Sequence, residues 1–570
     1  MLDLRIFRSF HAKYYEDDIL QGPTAYPEEY FAQVAEHGFN AVWMRGILRD
    51  LAPTDVFPTL GTEVAAHQDA LGTVVERAKR HGVQVLLYLN EPLCLPRAHP
   101  FWAEHPEVRG VAGHSEMDEW PETYAFCTST PEMRAWLYQV THNLFRDVPE
   151  LGGWFAISAG EHHAHCYSYI FDLPNKQQLC PRCAERSAVD VVTELLTLMH
   201  NGTKAARPSA HTIAWNWAWT VYEPDPQASL IAGLPADMNL LIDWERGGYR
   251  TMPNGKQNFV DEYSLMYVGP SERFRKLYDV AQERGLSVMA KLQVGTTHEL
   301  STAPNLPLID HLYEKLVRAE LLGLKGVQAT WNFGNSFSLN TAAVGRFVRT
   351  PERPSPDVFV TQLAEEYLGV AHGEAVASAV TQFSRAMEYY PFDVPLIYFG
   401  PNNYAAAYHL SLAPLTGKEM GWSWMMHERG DTLPAGEQFT IDEIIDLLSR
   451  LVPEWEQGVA LYAEALAGST SPQAAIELGA AAAVGHMFRS TLNVYKTFVL
   501  RRDRPADLAA QYRPILEDEI ANLDALLPLA EADPRIGFHA ECQAWMVSPE
   551  LLRNKLADMH AQLAALEITV

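Results

Sequence analysis

LGGWFAISAGEHHAHCYSYIFDLPNKQQLCPRC, residues 151–183, is the stretch from which the fold can be read. Trp154 to Ile157 is a short apolar run bounded by glycines, the pattern of a fully buried strand. The run ends abruptly in Ser158, Ala159, Gly160 and Glu161, followed by His162, His163, His165 and Cys166, with Cys180-Pro-Arg-Cys183 a loop later. A carboxylate and several metal-ligating side chains therefore crowd the end of one strand, the place where parallel α/β folds carry their chemistry.

On either side of this stretch the same unit recurs. Strands are expected at Leu4 to Phe10, Phe39 to Met44, residues 83–92 (VQVLLYLNEP), His211 to Trp217, Asn239 to Trp244, Leu286 to Gln293 and Gly326 to Phe333. Helices fall between them at 27–37, 63–81, 131–146, 188–201, 271–284 and 308–322, several closed by a His-Gly or Arg-Gly pair. About eight strand-then-helix units in some 350 residues predict an α/β protein, a (β/α)₈ TIM barrel with enlarged loops. A doubly wound open sheet is the alternative, weakened because no glycine-rich phosphate loop follows the first strand.

Beyond Thr350 the text changes. PERPSP reads as a hinge, and apolar positions then recur at helical spacing, as in EIIDLLSRLVPEWEQGVALYAEALA (443–467) and IELGAAAA (476–483). The expected division is a barrel over 1–350 and an all-helical C-terminal domain over 351–570. One non-helical insertion, 392–426, carries FGPNNY and GWSWMM, aromatics that suit either a lid or an interdomain core.

The 570-residue chain is 48% hydrophobic and 20% charged, as a globular protein is, and its net charge of −27 disfavours nucleic acid or an anionic membrane surface as partner. It shows no apolar run of about 18 residues and no signal-like N-terminus, so a soluble, cytoplasmic protein is expected. Six cysteines, five of them between Cys94 and Cys183, are too few for a disulfide framework and clustered enough for a metal.

Strand ends of a barrel converge on one face. In order they offer Arg8 and His11, Arg45, Asn90 and Glu91, Glu161 with the histidines, Trp217 and Trp219, Asp243 and Glu245, Gln293 to Glu299, and Trp331 with Asn332. No activated serine is among them. Carboxylates set among tryptophans suit cleavage of a glycosidic bond: one acid protonates the leaving oxygen, a second group stabilises or attacks the anomeric carbon, and indole faces stack on sugar C–H surfaces.

The segment FCTSTPEMRAWLYQVTHNLFRDVPELGGWFAISAGE, Phe126 to Glu161, resembles the stretch preceding the catalytic acid in glycoside hydrolase family 20, the β-N-acetylhexosaminidases, whose strand ends in HIGGDE. The resemblance implies that Glu161 is the general acid/base and, through the similarity of IFRSF to the family's first strand, that Arg8 grips sugar hydroxyls. The family's Asp before the Glu is Gly160 here, so the device that orients a substrate acetamido group is missing. A protein nucleophile on another strand is then required, about 5 Å from the acid in a retaining enzyme. Glu299 is the first choice, with Glu245 and Asp243 close competitors. Further substrate-binding candidates are His162, Trp215, Trp217, Trp331 and Asn332.

Cys166-x₁₃-Cys180-x₂-Cys183 contains a CxxC knuckle and needs one more ligand to make a tetrahedral zinc site. Cys127 is the best fourth, with Cys94 and His165 as alternatives. A closed site would be structural and would staple the loop bearing Glu161. The sequence thus points to a retaining, exo-acting glycoside hydrolase of a β-linked hexoside or hexosaminide, with one structural zinc and no organic cofactor. Its expected partner is a small carbohydrate, and self-association is left open. Two rivals stand beside it: a zinc-dependent amidohydrolase, lacking a first-strand HxH, and a catalytically silent carbohydrate-binding protein.

Overall fold

The computed structural model describes residues 2–115, 120–168 and 179–568; the segment 169–178 of the opening stretch lies outside them. Eight parallel strands close into a barrel: β1 (Leu4–Phe7), β2 (Ala41–Arg45), β3 (Gln84–Leu89), β4 (Gly153–Ile157), β5 (His211–Trp215), β6 (Asn239–Asp243), β7 (Ser287–Lys291) and β8 (Gly326–Gln328). Each neighbours the next in sequence, and β8 closes on β1. All eight expected strands are present, shorter by a few residues at the ends where the chain turns into loops.

Apart from Arg5, Arg45 and the first residues of β3, β5, β6 and β7, the strands are buried, because helices cover them outside and side chains fill them inside, which explains runs such as GWFAI instead of alternating polar text. Gly153 starts β4 at φ 154°, and a Cβ there would lie 2.1 Å from the His211 carbonyl oxygen, so no larger residue fits. The helix before β4, Pro131–Asp147, starts on Thr130, whose hydroxyl accepts from Met133 N at 3.3 Å; the helix after it, Ala188–Ala206, starts on Ser187 in the same way.

Between β3 and the Pro131 helix runs an unanticipated three-stranded antiparallel sheet, Leu95–Pro96, Trp120–Phe126 and Arg109–Ser115. Two small hairpins were also not anticipated: Gly248–Thr251 with Gln257–Val260, and Phe538–His539 with Ala544–Trp545.

The chain forms two compact units, and the boundary differs from the one expected near Thr350. Unit 1 comprises Met1–Trp244, Glu272–Lys291 and Leu322–Ala329; unit 2 comprises Glu245–Ser271, Leu292–Leu321 and Thr330–Val570. The first therefore holds every barrel strand, while the excursions after β6, β7 and β8 belong to the second.

Unit 2 is mainly helical, with long helices at Ile441–Leu466, Pro472–Asp503, Leu508–Ala532 and Pro549–Ile568. Small residues let them approach: a Cβ on Gly458 would come 2.6 Å from Phe383, and Trp455 donates its indole N–H to Ala481 O at 2.8 Å. Among the described residues no helix is long and apolar enough to cross a membrane.

Candidate active site

Register places the rim of the barrel. Ile157 of β4 pairs with Trp215 of β5, Trp215 with Leu241 of β6, and Asp243 with Lys291 of β7. Glu161, four residues beyond Ile157, and Asp243 thus rise from the same end of two strands that flank β5. Lys291, fully buried, stands in register with Asp243 and puts a positive group on the same rung.

Glu161 is half-buried. Its charge reaches Tyr14 and Tyr88, whose hydroxyls are held well above the usual phenol range mainly by burial and further by that carboxylate. The loop that carries it is pinned from several sides. Ser158 O accepts from His165 Nε2 at 2.9 Å and from Tyr222 Oη at 2.7 Å, the Ser158 hydroxyl accepts from Trp219 Nε1 at 2.9 Å, and Gly160 N donates to Ser168 O at 2.9 Å. A Cβ built on Gly160 would lie 3.2 Å from Ile157 Cγ2 and 3.7 Å from the indole of Trp217. The half-buried Trp217 therefore borders the position where the hexosaminidase Asp would stand.

His162 is buried and links two other rim residues: Arg45 Nη2 lies 3.3 Å from its Nδ1 and Tyr14 Oη 3.1 Å from its Nε2. Arginine can only donate, so Nδ1 accepts and the ring donates from Nε2 to Tyr14. His162 is thus a positioning group for Tyr14 and Arg45. Arg8, expected to grip sugar, instead pairs with buried Asp18 at 2.9 Å and stacks 3.8 Å over Trp43. Asp18 Oδ2 also accepts from the Arg45 backbone N–H at 2.7 Å, so Arg8 acts by fixing the loop beneath Arg45.

Trp215 is fully buried and donates its indole N–H to Asp243 Oδ1 at 2.8 Å, while Asp243 N donates to Asn216 Oδ1 at 3.2 Å. Trp215 orients a carboxylate and is no stacking platform. The remaining sequence candidates lie in unit 2. Both oxygens of Glu299 are engaged: Oε1 accepts from Ser264 Oγ (2.6 Å) and Met266 N (3.3 Å), Oε2 from Thr297 Oγ1 (3.0 Å) and Leu265 N (3.3 Å). An attacking carboxylate needs an oxygen open toward the anomeric carbon, whereas both oxygens of Glu299 are held by Thr297 and by residues 264–266 of the excursion after β6. Glu245 is buried against Lys315 Nζ at 2.7 Å, a structural ion pair. Asn332 is buried and donates to Glu541 Oε1 at 3.3 Å, and Trp331 is half-buried.

The aromatic insertion clusters within unit 2. Trp424 lies 5.3 Å and Tyr398 5.1 Å from the His298 ring, Phe333 4.6 Å from it, and Trp422 4.9 Å from Trp424.

The histidines after His162 are structural. His163 Nδ1 is 2.7 Å from Thr123 Oγ1, and burial depresses both His163 and His165 to about 4, so both rings are neutral near neutral pH. The cysteines come together as the spacing suggested: Cys127, Cys166, Cys180 and Cys183 place their sulfurs within 4.8 Å of one another. Cys94 and His165, the alternatives for the fourth position, are not in the group.

The fold and rim define an eight-stranded parallel barrel with acidic groups at the carboxyl ends of β4 and β6. No family model and no curated protein matches the sequence. Among solved structures the chain is similar to a GH138 enzyme described as targeting pectin rhamnogalacturonan II, with a TM-score of 0.56 and 10% identity over 100% of this chain and 68% of that one. CpGH84B scores 0.40 at 10% identity, covering 98% and 77%, and the GH20 exo-β-N-acetylglucosaminidase from Vibrio harveyi 0.31 at 9%, covering 60% and 46%. These neighbours are glycoside hydrolases. At 10% identity it is the fold that is shared with the GH138 enzyme, and the hexosaminidase resemblance gains nothing from the two lower scores.

Proposed function

We propose that the chain is a glycoside hydrolase in which Glu161 is the general acid/base and Asp243 the second carboxylate. The observation that carries this reading is the pairing of a half-buried Glu161 at the end of β4 with an oriented Asp243 at the end of β6. Adjacent strands are about 4.8 Å apart, so strand ends two apart are separated by about 10 Å at the backbone, and inward-leaning side chains shorten this. A retaining enzyme brings its carboxyl groups to about 5 Å, and we favour that mechanism with Asp243 as nucleophile. Protonated Glu161 gives its proton to the leaving oxygen as Asp243 attacks the anomeric carbon; Glu161 then activates the water that releases the sugar. Tyr14 and Arg45 suit sugar hydroxyls, and the Trp217 face suits a stacked ring. Exo action on a β-linked hexoside or hexosaminide extends this reading.

Arg45 would also receive a sugar carboxylate, and the similar GH138 enzyme is described as targeting pectin rhamnogalacturonan II. Pectic oligosaccharides therefore belong in the substrate screen beside chromogenic glycosides with and without a 2-acetamido group. A 2-fluoro sugar should label Asp243. Hydrolysis of no glycoside by wild type would overturn the activity, and labelling of another carboxylate would overturn the nucleophile.

A further inference from the structure

The four buried cysteines sit beyond the chemistry of the rim and have their own geometry. Cys127 Sγ is 3.4 Å from Cys180 Sγ and 3.6 Å from Cys183 Sγ, and Cys166 Sγ is 3.7 Å from Cys180 Sγ. A disulfide needs about 2.05 Å, so none of these contacts is one. Tetrahedral zinc with bonds of about 2.3 Å has sulfur–sulfur edges of about 3.8 Å, close to what is seen.

We propose that Cys127, Cys166, Cys180 and Cys183 bind one zinc ion in a closed, structural site that fixes the loop bearing Glu161. Four thiolates around a divalent ion leave a net negative charge, and the surroundings answer it: Arg182 Nε donates to Cys127 Sγ at 3.2 Å and Ser129 Oγ lies 3.4 Å from Cys183 Sγ. Room is also reserved. A Cβ on Gly110 would come 2.8 Å from Cys166 Sγ, so the sheet passes the site with a glycine. Closure by four protein ligands leaves no position for water or substrate, which excludes zinc hydrolysis here.

The ligands come from three separate stretches of chain. Cys127 follows the sheet strand that ends at Phe126 and precedes the Pro131 helix. Cys166 lies five residues after Glu161, Cys180 precedes the short helix Pro181–Ala184, and Cys183 lies within it. Phe126 N donates to Ala164 O at 2.9 Å, and Tyr167 Oη donates to the carbonyls of Cys183 (3.0 Å) and Arg186 (2.9 Å). The ion would thus clamp both ends of the segment that follows β4, and its presence does not depend on what reaction the rim performs.

The test reads metal and loop order without turnover. Full-length protein purified without chelator should contain about one zinc per chain by elemental analysis. A mercurial thiol reagent should release it as the cysteines react. Cobalt(II) exchanged into the wild-type chain should give the intense visible absorption of tetrahedral cobalt thiolate. C180S/C183S should lose the metal, and hydrogen exchange in 159–168 should speed by about 10-fold or more. If that variant does not fold, the wild-type zinc content and cobalt spectrum still decide. No metal, iron in place of zinc, or a disulfide among the four on peptide mapping would overturn the proposal.

Discussion

Glu299 separates a structural carboxylate from a catalytic one, and its replacement can be costed from its contacts. In Glu299→Gln the amide oxygen can keep the partners of Oε1, Ser264 Oγ and Met266 N, while the amide nitrogen takes the place of Oε2. Thr297 can turn its hydroxyl to accept, but the Leu265 N–H then loses its acceptor. One buried donor left unmet costs about 1–3 kcal/mol. Glu299→Ala strands both backbone donors, and the same figure applied twice gives about 2–6 kcal/mol. Urea unfolding should therefore rank wild type above Gln above Ala, while kcat per folded molecule of the Gln variant stays within a few-fold of wild type. A Gln variant as stable as wild type whose kcat has fallen a thousandfold would refute the structural assignment and restore Glu299 as nucleophile.

Glu161→Gln should lower kcat on substrates with poor leaving groups by about 10²–10⁴-fold with an unchanged melting temperature, and near-normal turnover would end the acid/base role. Trp215→Phe removes a donor to a carboxylate, worth about 1.5–3 kcal/mol; kcat should fall by 10-fold or more with KM little changed, and an effect confined to KM would show that Trp215 contacts sugar instead. Buried Glu91 and Glu477 are both pushed up to about 7 from an ordinary 4.5 by desolvation. Folding thus favours their protonated forms. Their contribution is complete below about pH 4.5 and is lost as pH rises from there through about 7, so the urea midpoint should drop between about pH 4.5 and 7 and level off above that. The double variant E91Q/E477Q should flatten that drop, and an unaltered slope would mean other groups cause it.

The barrel was legible because buried parallel strands leave contiguous apolar runs, and runs such as QVLLYL and NLLID need no partner to be recognised. The place of Glu161 just past β4 was legible for the same reason, as the first carboxylate past a run that stops. The four cysteines could be grouped because a CxxC knuckle fixes two of them and few others remained. Tyr14 was not visible: it stands in the irregular YYEDD loop, and its place beside His162 is set by a contact 148 residues away in sequence. Arg8 looked equivalent to Arg45 until Asp18, from that loop, took one of them. Glu299 and Asp243 are alike as strand-end acids, and only the donors around each separate them. The three-stranded sheet, two residues long on one strand, is too short and bulged to show a period. The Gly248–Val260 hairpin did have its signal, the Pro-Asn-Gly of residues 253–255, inside what looked like a plain loop.

The interleaving of the two units bears on how such a protein can be built and inherited. The chain crosses from one unit to the other five times, after Trp244, Ser271, Lys291, Leu321 and Ala329. No single cut separates them, so a stop codon at residue 350 would leave the barrel strands attached to three stretches of unit 2, 245–271, 292–321 and 330–349, cut off from the rest of that unit. A gene fusion or recombination event with one breakpoint could not exchange the helical part for another. The two units form one heritable module, and variation in the helical part has to proceed by substitution within it.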